Sequence, residues 1–543
     1  MKLTSEQIFK EYNDALIFKE SLGTRGMYEQ NRINERFFIG DQWHGAKCGN
    51  ERPLVRHNII KRIGDYKMSH ILSSPINVAF SADGITNTNS LRKGISAQKS
   101  EFALGKKEAF EGETLNDEIN VVMSTLGDYH KVTSERTGFE RLCERALRNA
   151  YITGSAVIYT YWNSEITTGV YGGKEKNIPI KGDIECELLD IENVFFGDSS
   201  KENIEGQPYI ILRSEMNAHD VMREALKFGC TKETENLIND KLGEGKITVL
   251  TRLYKEYNSS GNYTIKCIKA IEGAIIRPEF DTGLHRYPLA LFTWDRSKGN
   301  IYGHSEITYL IPNQIAINRM ITANVWAKMT AGMPIMVVNG DTVTDKITNE
   351  PGQIIKVYGT NEDVAGAIKY ITPASVSESF DISINTLIEN TLTQSGANEV
   401  ALGDSKADNA AALATMRNAA IMPIGLVKNR FYGFIEEISR IWVDFWLTYY
   451  GNRKIRVRDE NGVWYMPFNA ERYRDLIINA RVYTTSGTVY GDSEILSALN
   501  LLYDKGIITK EQFVKRIPDG IISDTDGLLT EINNTEGIND DRT

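Results

Sequence analysis

Asp404 and Asp408, two aspartates four residues apart, are the carboxylate pair in this 543-residue chain that could most readily take part in catalysis. Paired carboxylates can hold the metal ions of a nuclease, but such a site needs more carboxylates around the pair. The other interpretation is a solvated loop that places negative charge near the start of the following helix, where the helix dipole favours it. We favour the loop, and a metal-dependent DNA-processing enzyme stays open as an alternative function.

Other residue types that could do chemistry lack the spacing that their chemistry requires. Segment 40–47 has two glycines and a lysine, but the lysine does not directly follow the second glycine, so we expect a structural turn and no P-loop ATPase. The seven histidines show no HxH or HExxH spacing and the five cysteines form no CxxC pair, so we predict no metal site and no cofactor. No serine lies in a GxSxG context. The sequence therefore predicts a protein that is not an enzyme.

The net charge of −10 and the isoelectric point near 5.5 also narrow the function classes. A protein that grips DNA by neutralising its phosphates is usually basic, whereas an acidic chain can handle DNA that must slide past it. The longest apolar stretches, such as residues 438–450, contain charged residues and are too short to cross a bilayer. We therefore expect no membrane association.

The order of predicted elements in the second half of the chain is its most informative feature. A helix over 304–332 precedes a β-containing insert over 333–374, in which 333–338 and 353–357 are the strand-like runs. A second helix, over 375–395, begins at a capping box. Two helices that flank a short β-insert are typical of a protein that lines or supports something.

A loop and a long helix follow this helix pair. The second helix ends at Gly396, and the loop over 396–409 contains Gly and Asn residues that permit mobility. The long helix over 410–450 has one apolar stripe, and Pro423 inside it predicts a kink.

Helices and strands are mixed in the remaining sequence, which predicts the α+β fold class. Residues 139–150 have an apolar face at helical spacing, and 247–257 and 263–271 alternate like two strands of a hairpin. Three strand-like runs after the long helix are expected to complete a sheet: 454–458, 464–468 and 476–483.

Four groups of residues carry a resemblance to a known family. They are FFIGDQW (37–43) with Arg52, Pro53 and Asn58; YITGSA (151–156); GHSEI (303–307) with Gln314 and Asn318; and SGA (395–397) with the Ala-rich stretch 409–420. In the order and spacing of these groups, the chain resembles the portal protein family of tailed bacteriophages, of the type found in siphovirus-like heads. The resemblance covers roughly residues 30–530.

The resemblance implies a portal fold assembled as a ring of about twelve copies with cyclic symmetry. Its parts are a wing, a helical stem, a small β-containing clip, a tunnel loop, a long kinked helix and an α-helical crown. The implied boundaries are wing 1–303, stem helices 304–332 and 375–395, clip 333–374, tunnel loop 396–409, long kinked helix 410–450, returning wing strands 451–490, and crown with C-terminal tail 491–543. The polar segment 81–114 receives no role.

The function implied is that of a channel at one capsid vertex, through which double-stranded DNA is packaged and ejected. The implied partners are further copies of the chain, DNA contacted without sequence specificity, large terminase, a head–tail connector, and the major capsid and scaffolding proteins. The location implied is the virion, after assembly in the host cytoplasm. Another structural phage protein, such as a minor head or baseplate component, is the second alternative. The residues expected to face DNA are Asn398, Glu399, Asp404, Ser405, Lys406 and Asp408.

Overall fold

The structure is a computed structural model. It describes residues 3–46, 53–74, 76–82, 115–172, 178–241, 245–259, 261–331, 335–341, 343, 347, 356–360, 366–371, 378–397, 410–459, 462–470, 478–484, 489–514 and 516–517.

Helices and strands are mixed along the chain, which confirms the α+β class. The helices are α1 (Ser5–Ser21), α2 (Met27–Ile39), α3 (Ile59–Leu72), α4 (Leu115–Thr137), α5 (Phe139–Thr153), α6 (Ala218–Lys227), α7 (Lys232–Asp240), α8 (Glu306–Ala331), α9 (Glu378–Gln394), α10 (Ala410–Tyr449), α11 (Val489–Asp504) and α12 (Lys510–Val514). Within the described residues, none of these helices is long and apolar enough to cross a membrane.

The strands form small antiparallel sheets. They are β1 (Ile76–Ala82), β2 (Ser155–Gly172), β3 (Ile178–Leu189), β4 (Val194–Phe196), β5 (Tyr209–Asn217), β6 (Lys246–Tyr257), β7 (Tyr263–Ile271), β8 (Ala274–Asp281), β9 (Leu289–Thr293), β10 (Ile335–Val338), β11 (Ile368–Ile371), β12 (Asn452–Asp459), β13 (Gly462–Asn469) and β14 (Ile478–Thr484). The sheet orders are β4-β5-β6-β7-β8, β3-β2-β9, β1-β14, β10-β11 and β12-β13.

The strands after the long helix do not complete one sheet together. β12 pairs with β13 in a hairpin, whereas β14 pairs with β1, almost 400 residues earlier in the chain. The prediction of a shared sheet was therefore wrong in its pairing. Strand propensity is local, whereas the choice of partner depends on tertiary packing.

The chain forms two compact units, each built from separate stretches. The first comprises Met1–Asn31, Lys67–Ser305 and Ile424–Thr543, and the second comprises Arg32–Tyr66 and Glu306–Pro423.

The core of the first unit is built from amphipathic helices and the two larger sheets. Helix α5 buries its predicted apolar face completely: Phe139, Leu142, Cys143, Ala146, Leu147 and Ala150. Helix α10 does the same with the C-terminal part of its stripe: Phe431, Phe434, Ile435, Ile438, Trp442 and Phe445. In both helices the burial follows the spacing of 3.6 residues per turn that the sequence shows.

Helices pack on both faces of the five-stranded sheet of this unit. Ile8 and Tyr12 of α1 pack with Phe195, Ile211 and Leu250 on one face. Helices α6 and α7 pack on part of the other face through an apolar cluster: Ala218, Val221, Ala225, Ile238, Ile247, Val249, Ile271 and Ile276. The predicted hairpin is present as β6 and β7, which pair from Leu250 with Ala270 to Tyr257 with Tyr263.

The second unit contains the helix pair and the β-insert. Helix α8 begins at Glu306, and Pro312 lies inside it. The strand that pairs with β10 is β11, and not the predicted run 353–357, of which the described Val357 forms an isolated bridge with Val343. Helix α9 ends as predicted at Gly396, which has a φ of +76°.

Candidate functional site

The six residues expected to face DNA lie outside the described residues: Asn398, Glu399, Asp404, Ser405, Lys406 and Asp408. The structure describes the ends of the elements on either side, which are Ala397 after α9 and Ala410 at the start of α10. Pro423 lies inside α10 and is exposed, and a Cβ atom added to Gly396 would lie 3.2 Å from its Cβ. The end of α9 therefore packs closely against Pro423, and the kink stays a prediction.

A buried polar network, which we call the polar junction, joins α8 to the segment before α3. Its central residue is Gln314, which is 1% exposed. The side-chain oxygen of Gln314 accepts from the backbone N–H groups of Ile59 and Ile60 at 3.0 and 3.3 Å. Its nitrogen donates to the carbonyl of His57 at 2.6 Å and to Asn318 Oδ1 at 3.0 Å. One side chain thus caps the start of α3 and orients a second amide.

Asn318, one turn further along α8, continues the polar junction. Its Oδ1 accepts from the His57 N–H at 3.0 Å, and its Nδ2 donates to Gln42 Oε1 at 2.5 Å. Asn58 donates to the Phe38 carbonyl at 3.0 Å from the same segment. The first and third groups of the family resemblance therefore meet in space, although more than 250 residues separate them along the chain.

The second and third groups meet at another place, which we call the glycine junction. Gly154 ends α5 with a φ of +86°, and Cβ atoms added to Gly154 and Gly303 would lie 2.4 and 2.3 Å from each other's carbonyl oxygens. Gly303 N–H donates to Ser155 Oγ at 2.8 Å, and Ser305 Oγ donates to the Tyr151 carbonyl at 2.6 Å. Only glycine permits this approach of the two backbones, because any larger residue would overlap the opposite chain.

Helices α8 and α9 contact each other through polar side chains. Lys328 Nζ lies 2.9 Å from Asp381 Oδ2, and Asn313 Nδ2 donates to Thr391 Oγ1 at 3.2 Å. Hydrogen bonds from Lys328 and Asn324 lower the pKa of the Asp381 carboxyl below its usual value. The pair also leaves large apolar side chains exposed: Tyr309 at 62%, Met329 at 46% and Ile382 at 64%.

A second buried polar cluster lies in the first unit, at the end of α10. Tyr450 OH donates to Asp183 Oδ1 at 2.6 Å, and Arg136 lies 3.2 Å from Asp183 Oδ2. The pKa of the Tyr450 hydroxyl is raised, and burial is the largest cause. Because Asp183 is only 3% exposed, these contacts satisfy a carboxylate that would otherwise be buried without partners.

The described residues contain no group of three His, Cys, Asp or Glu side chains that could hold a metal ion. His130 is buried against Trp442 and lies 3.1 Å from Ser439 Oγ, and burial lowers its pKa to about 4. Burial raises the pKa of the Cys186 and Cys267 thiols to about 11. These groups are uncharged at neutral pH, and their surroundings suit packing.

No known protein-family model matches this chain, and no curated protein matches its sequence. The sequence pattern marks residues of both junctions among the groups that carry the family resemblance, but it does not predict the contacts between them. One signal was present, because Gln314 and Asn318 are amides four residues apart on one helix and so share one face.

Proposed function

We propose that the protein is a portal: a ring of identical subunits whose central channel passes double-stranded DNA at one vertex of a phage capsid. The observation that carries the proposal is the order of elements α8, β10–β11, α9 and α10. Two helices flank a two-stranded sheet, and a short segment leads from the second helix into a third helix of 40 residues.

The surfaces of α8 and α9 support an assembly of several copies. Tyr309, Met329 and Ile382 are large apolar residues at exposed positions on the two helices. Such side chains would be covered if another copy packed on these helices. In a ring, one side of each helix pair would pack on the neighbouring copy while another faces the channel.

The polar junction supports a fixed position of α8 within the second unit. The amides of the polar junction are buried and hydrogen-bonded, so α8 cannot shift along the segment before α3 without losing those bonds. A subunit that transmits force between a packaging motor and a capsid needs such fixed connections. This role gives a physical reason for the residue types on which the family resemblance rests.

The channel residues would act by weak contact with passing DNA. Asn398, Glu399, Asp404, Ser405, Lys406 and Asp408 would contact the phosphate backbone without reading its sequence. An acidic chain suits this role because it does not hold DNA tightly. Large terminase and then the head–tail connector would dock on the clip, and capsid and scaffolding proteins would contact the wing in the virion.

Electron microscopy of the purified protein, with its mass measured in solution, tests the proposal directly. We expect rings of about twelve subunits with a hole wide enough for duplex DNA. The absence of rings under every salt condition, with and without scaffolding protein, would contradict it. Cleavage of duplex DNA that requires Mg²⁺ or Mn²⁺ and is lost in Asp404→Asn would instead favour the nuclease.

Deleting residues 398–406 tests the channel residues separately from the ring. We expect the deletion to leave ring assembly intact and to impair DNA packaging or retention. A deletion of equal length in the polar segment, residues 89–97, is the matched control and should affect neither. Loss of ring assembly in the 398–406 deletion would show instead that this loop is a structural contact.

A further inference from the structure

The first unit contains a cleft of about 1110 Å³ that the proposed channel does not use. Its floor is the part of the five-stranded sheet that α6 and α7 leave uncovered, with Thr251, Cys267 and Lys269 among the lining residues. β2 contributes Tyr159 and Tyr161, and further walls come from α6 and the C-terminal end of α10. The volume is slightly above the usual range of small-ligand sites.

Arg277 of β8 lines this cleft and is held between two aromatic rings. Its guanidinium carbon lies 3.5 Å from the ring centre of Phe280 and 4.2 Å from that of Phe228. Stacking on aromatic faces fixes the plane of a guanidinium and leaves its N–H edge available for hydrogen bonds. The two rings therefore orient Arg277 without satisfying its donors.

Within the described residues, the Arg277 guanidinium has neither an ion pair nor a hydrogen-bond partner. Its Nε is buried and unsatisfied. Two other cations that line the cleft are paired: Lys269 lies 2.7 Å from Glu224, and Arg223 lies 2.9 Å from Asp220. An unpaired, partly buried cation is unusual in a chain with a net charge of −10.

The surroundings of Arg277 define the chemistry of a fitting ligand. Tyr159 and Tyr161 stack with their ring centres 5.6 Å apart and bring phenol groups to the cleft, and Trp162 stacks on Tyr449 beside them at 5.0 Å. Aromatic walls favour a flat or apolar body. A planar fork of N–H donors favours a carboxylate or phosphate, which it can hold with two parallel hydrogen bonds.

We propose that this cleft binds a small ligand that carries a carboxylate or phosphate group on an aromatic body, with Arg277 pairing with the oxyanion. The proposal concerns one subunit alone and does not depend on ring assembly or on DNA. The occupant supplies the acceptors that Arg277 lacks and covers the rings around it.

Ligand-observed NMR and calorimetry with the full-length protein test the proposal. The probes are phenylacetate, phenyl phosphate and the neutral analogue phenylethanol. We expect at least one anion to bind about tenfold or more tightly than the alcohol, because charge-assisted bidentate pairs are the strong ones. Preference for phenyl phosphate would identify the natural oxyanion as a phosphate, and preference for phenylacetate would identify a carboxylate.

Two variants separate Arg277 from the other cations of the cleft. Arg277→Gln should weaken binding of the preferred anion about tenfold or more and leave phenylethanol unchanged. Arg223→Gln is the matched control, because Arg223 lines the same cleft but is 82% exposed and paired, and it should retain the wild-type affinity. Equal binding of the anion by Arg277→Gln and the wild type would overturn the proposal.

Measurements on the wild type decide the matter if Arg277→Gln does not fold. The bound anion should slow amide hydrogen exchange in the peptide that covers β8 and not in the peptide that covers α1. Anions that bind no better than phenylethanol, or that protect α1 and not β8, would refute the site.

Discussion

Replacing Gln314 with leucine removes the centre of the polar junction while keeping a buried side chain of similar size. The substitution eliminates four hydrogen bonds: two accepted from Ile59 and Ile60 and two donated to His57 and Asn318. Ile59 N–H keeps a bond to the His57 carbonyl at 2.9 Å, and Asn318 Oδ1 keeps its bond from His57 N–H. The Ile60 N–H loses its side-chain acceptor, and the His57 carbonyl loses its side-chain donor.

These lost hydrogen bonds determine how much stability Gln314→Leu should lose. A typical intramolecular hydrogen bond contributes a net of about 0.5–1.5 kcal/mol, so the loss of the four bonds of Gln314 should reduce the free energy of unfolding by about 3 kcal/mol. The reduction should be visible as a lower urea midpoint. Hydrogen exchange should locate it, because amides in the peptide that covers residues 57–63 should exchange faster at the start of α3.

Gln394→Leu is the matched control. Gln394 ends α9 in the same unit and is exposed, so the same substitution there should change the free energy of unfolding by no more than about 0.5 kcal/mol. The reasoning is refuted if Gln314→Leu unfolds at the wild-type urea concentration with unchanged exchange in residues 57–63, or if the two variants lose equal stability.

Three further predictions concern the first unit. Burial lowers the pKa of His130 from 6.5 to about 4, so the unfolded state binds the proton first and stability falls as pH drops through that window. His130→Gln should remove about 2 kcal/mol of the stability difference that urea titrations measure between pH 7 and pH 5. Gly154→Ala should cost more than about 3 kcal/mol in thermal unfolding, whereas Gly138→Ala, with a φ of +62° and no atom within 4 Å of the added Cβ, should cost only about 1 kcal/mol of backbone strain. Tyr450→Phe should cost about 2 kcal/mol in urea unfolding, because Asp183 loses a short hydrogen bond in a buried site.

Each of these three predictions has a result that would contradict it. An unchanged pH dependence in His130→Gln would show that the imidazole is not the group that titrates. Equal costs for the two alanine variants would show that the backbones at the glycine junction can separate. Tyr309→Phe, at a position 62% exposed, should be neutral, and a Tyr450→Phe variant as stable as this control would contradict the account of the buried carboxylate.

The helix pair and the long helix α10 could be predicted closely from the sequence. The ranges 304–332, 375–395 and 410–450 correspond to helices Glu306–Ala331, Glu378–Gln394 and Ala410–Tyr449. Apolar periodicity, a capping box and a terminal glycine are local signals, and a helix closes its backbone hydrogen bonds within its own segment. The prediction therefore needed no knowledge of the rest of the fold.

Strand pairing could not be predicted in the same way. β11 is a four-residue strand that pairs with β10 about 30 residues earlier, whereas the sequence pattern predicts the second strand of the insert at 353–357. β14 has a clear strand pattern, but its partner β1 precedes it by almost 400 residues. A strand satisfies its backbone only through another strand, so local alternation shows that a strand exists without showing what it pairs with.

The sequence by itself determined the α+β class, the order of the helix pair and the residue types at both junctions. Only the tertiary structure decided that Gln314 caps the start of α3, that Gly154 meets Gly303, and that Arg277 stands without a partner between two phenylalanine rings. The physical reason is that helix periodicity acts over a few residues along the chain. Satisfaction of a buried amide, close approach of two backbones and desolvation of a guanidinium depend on groups that only folding brings together.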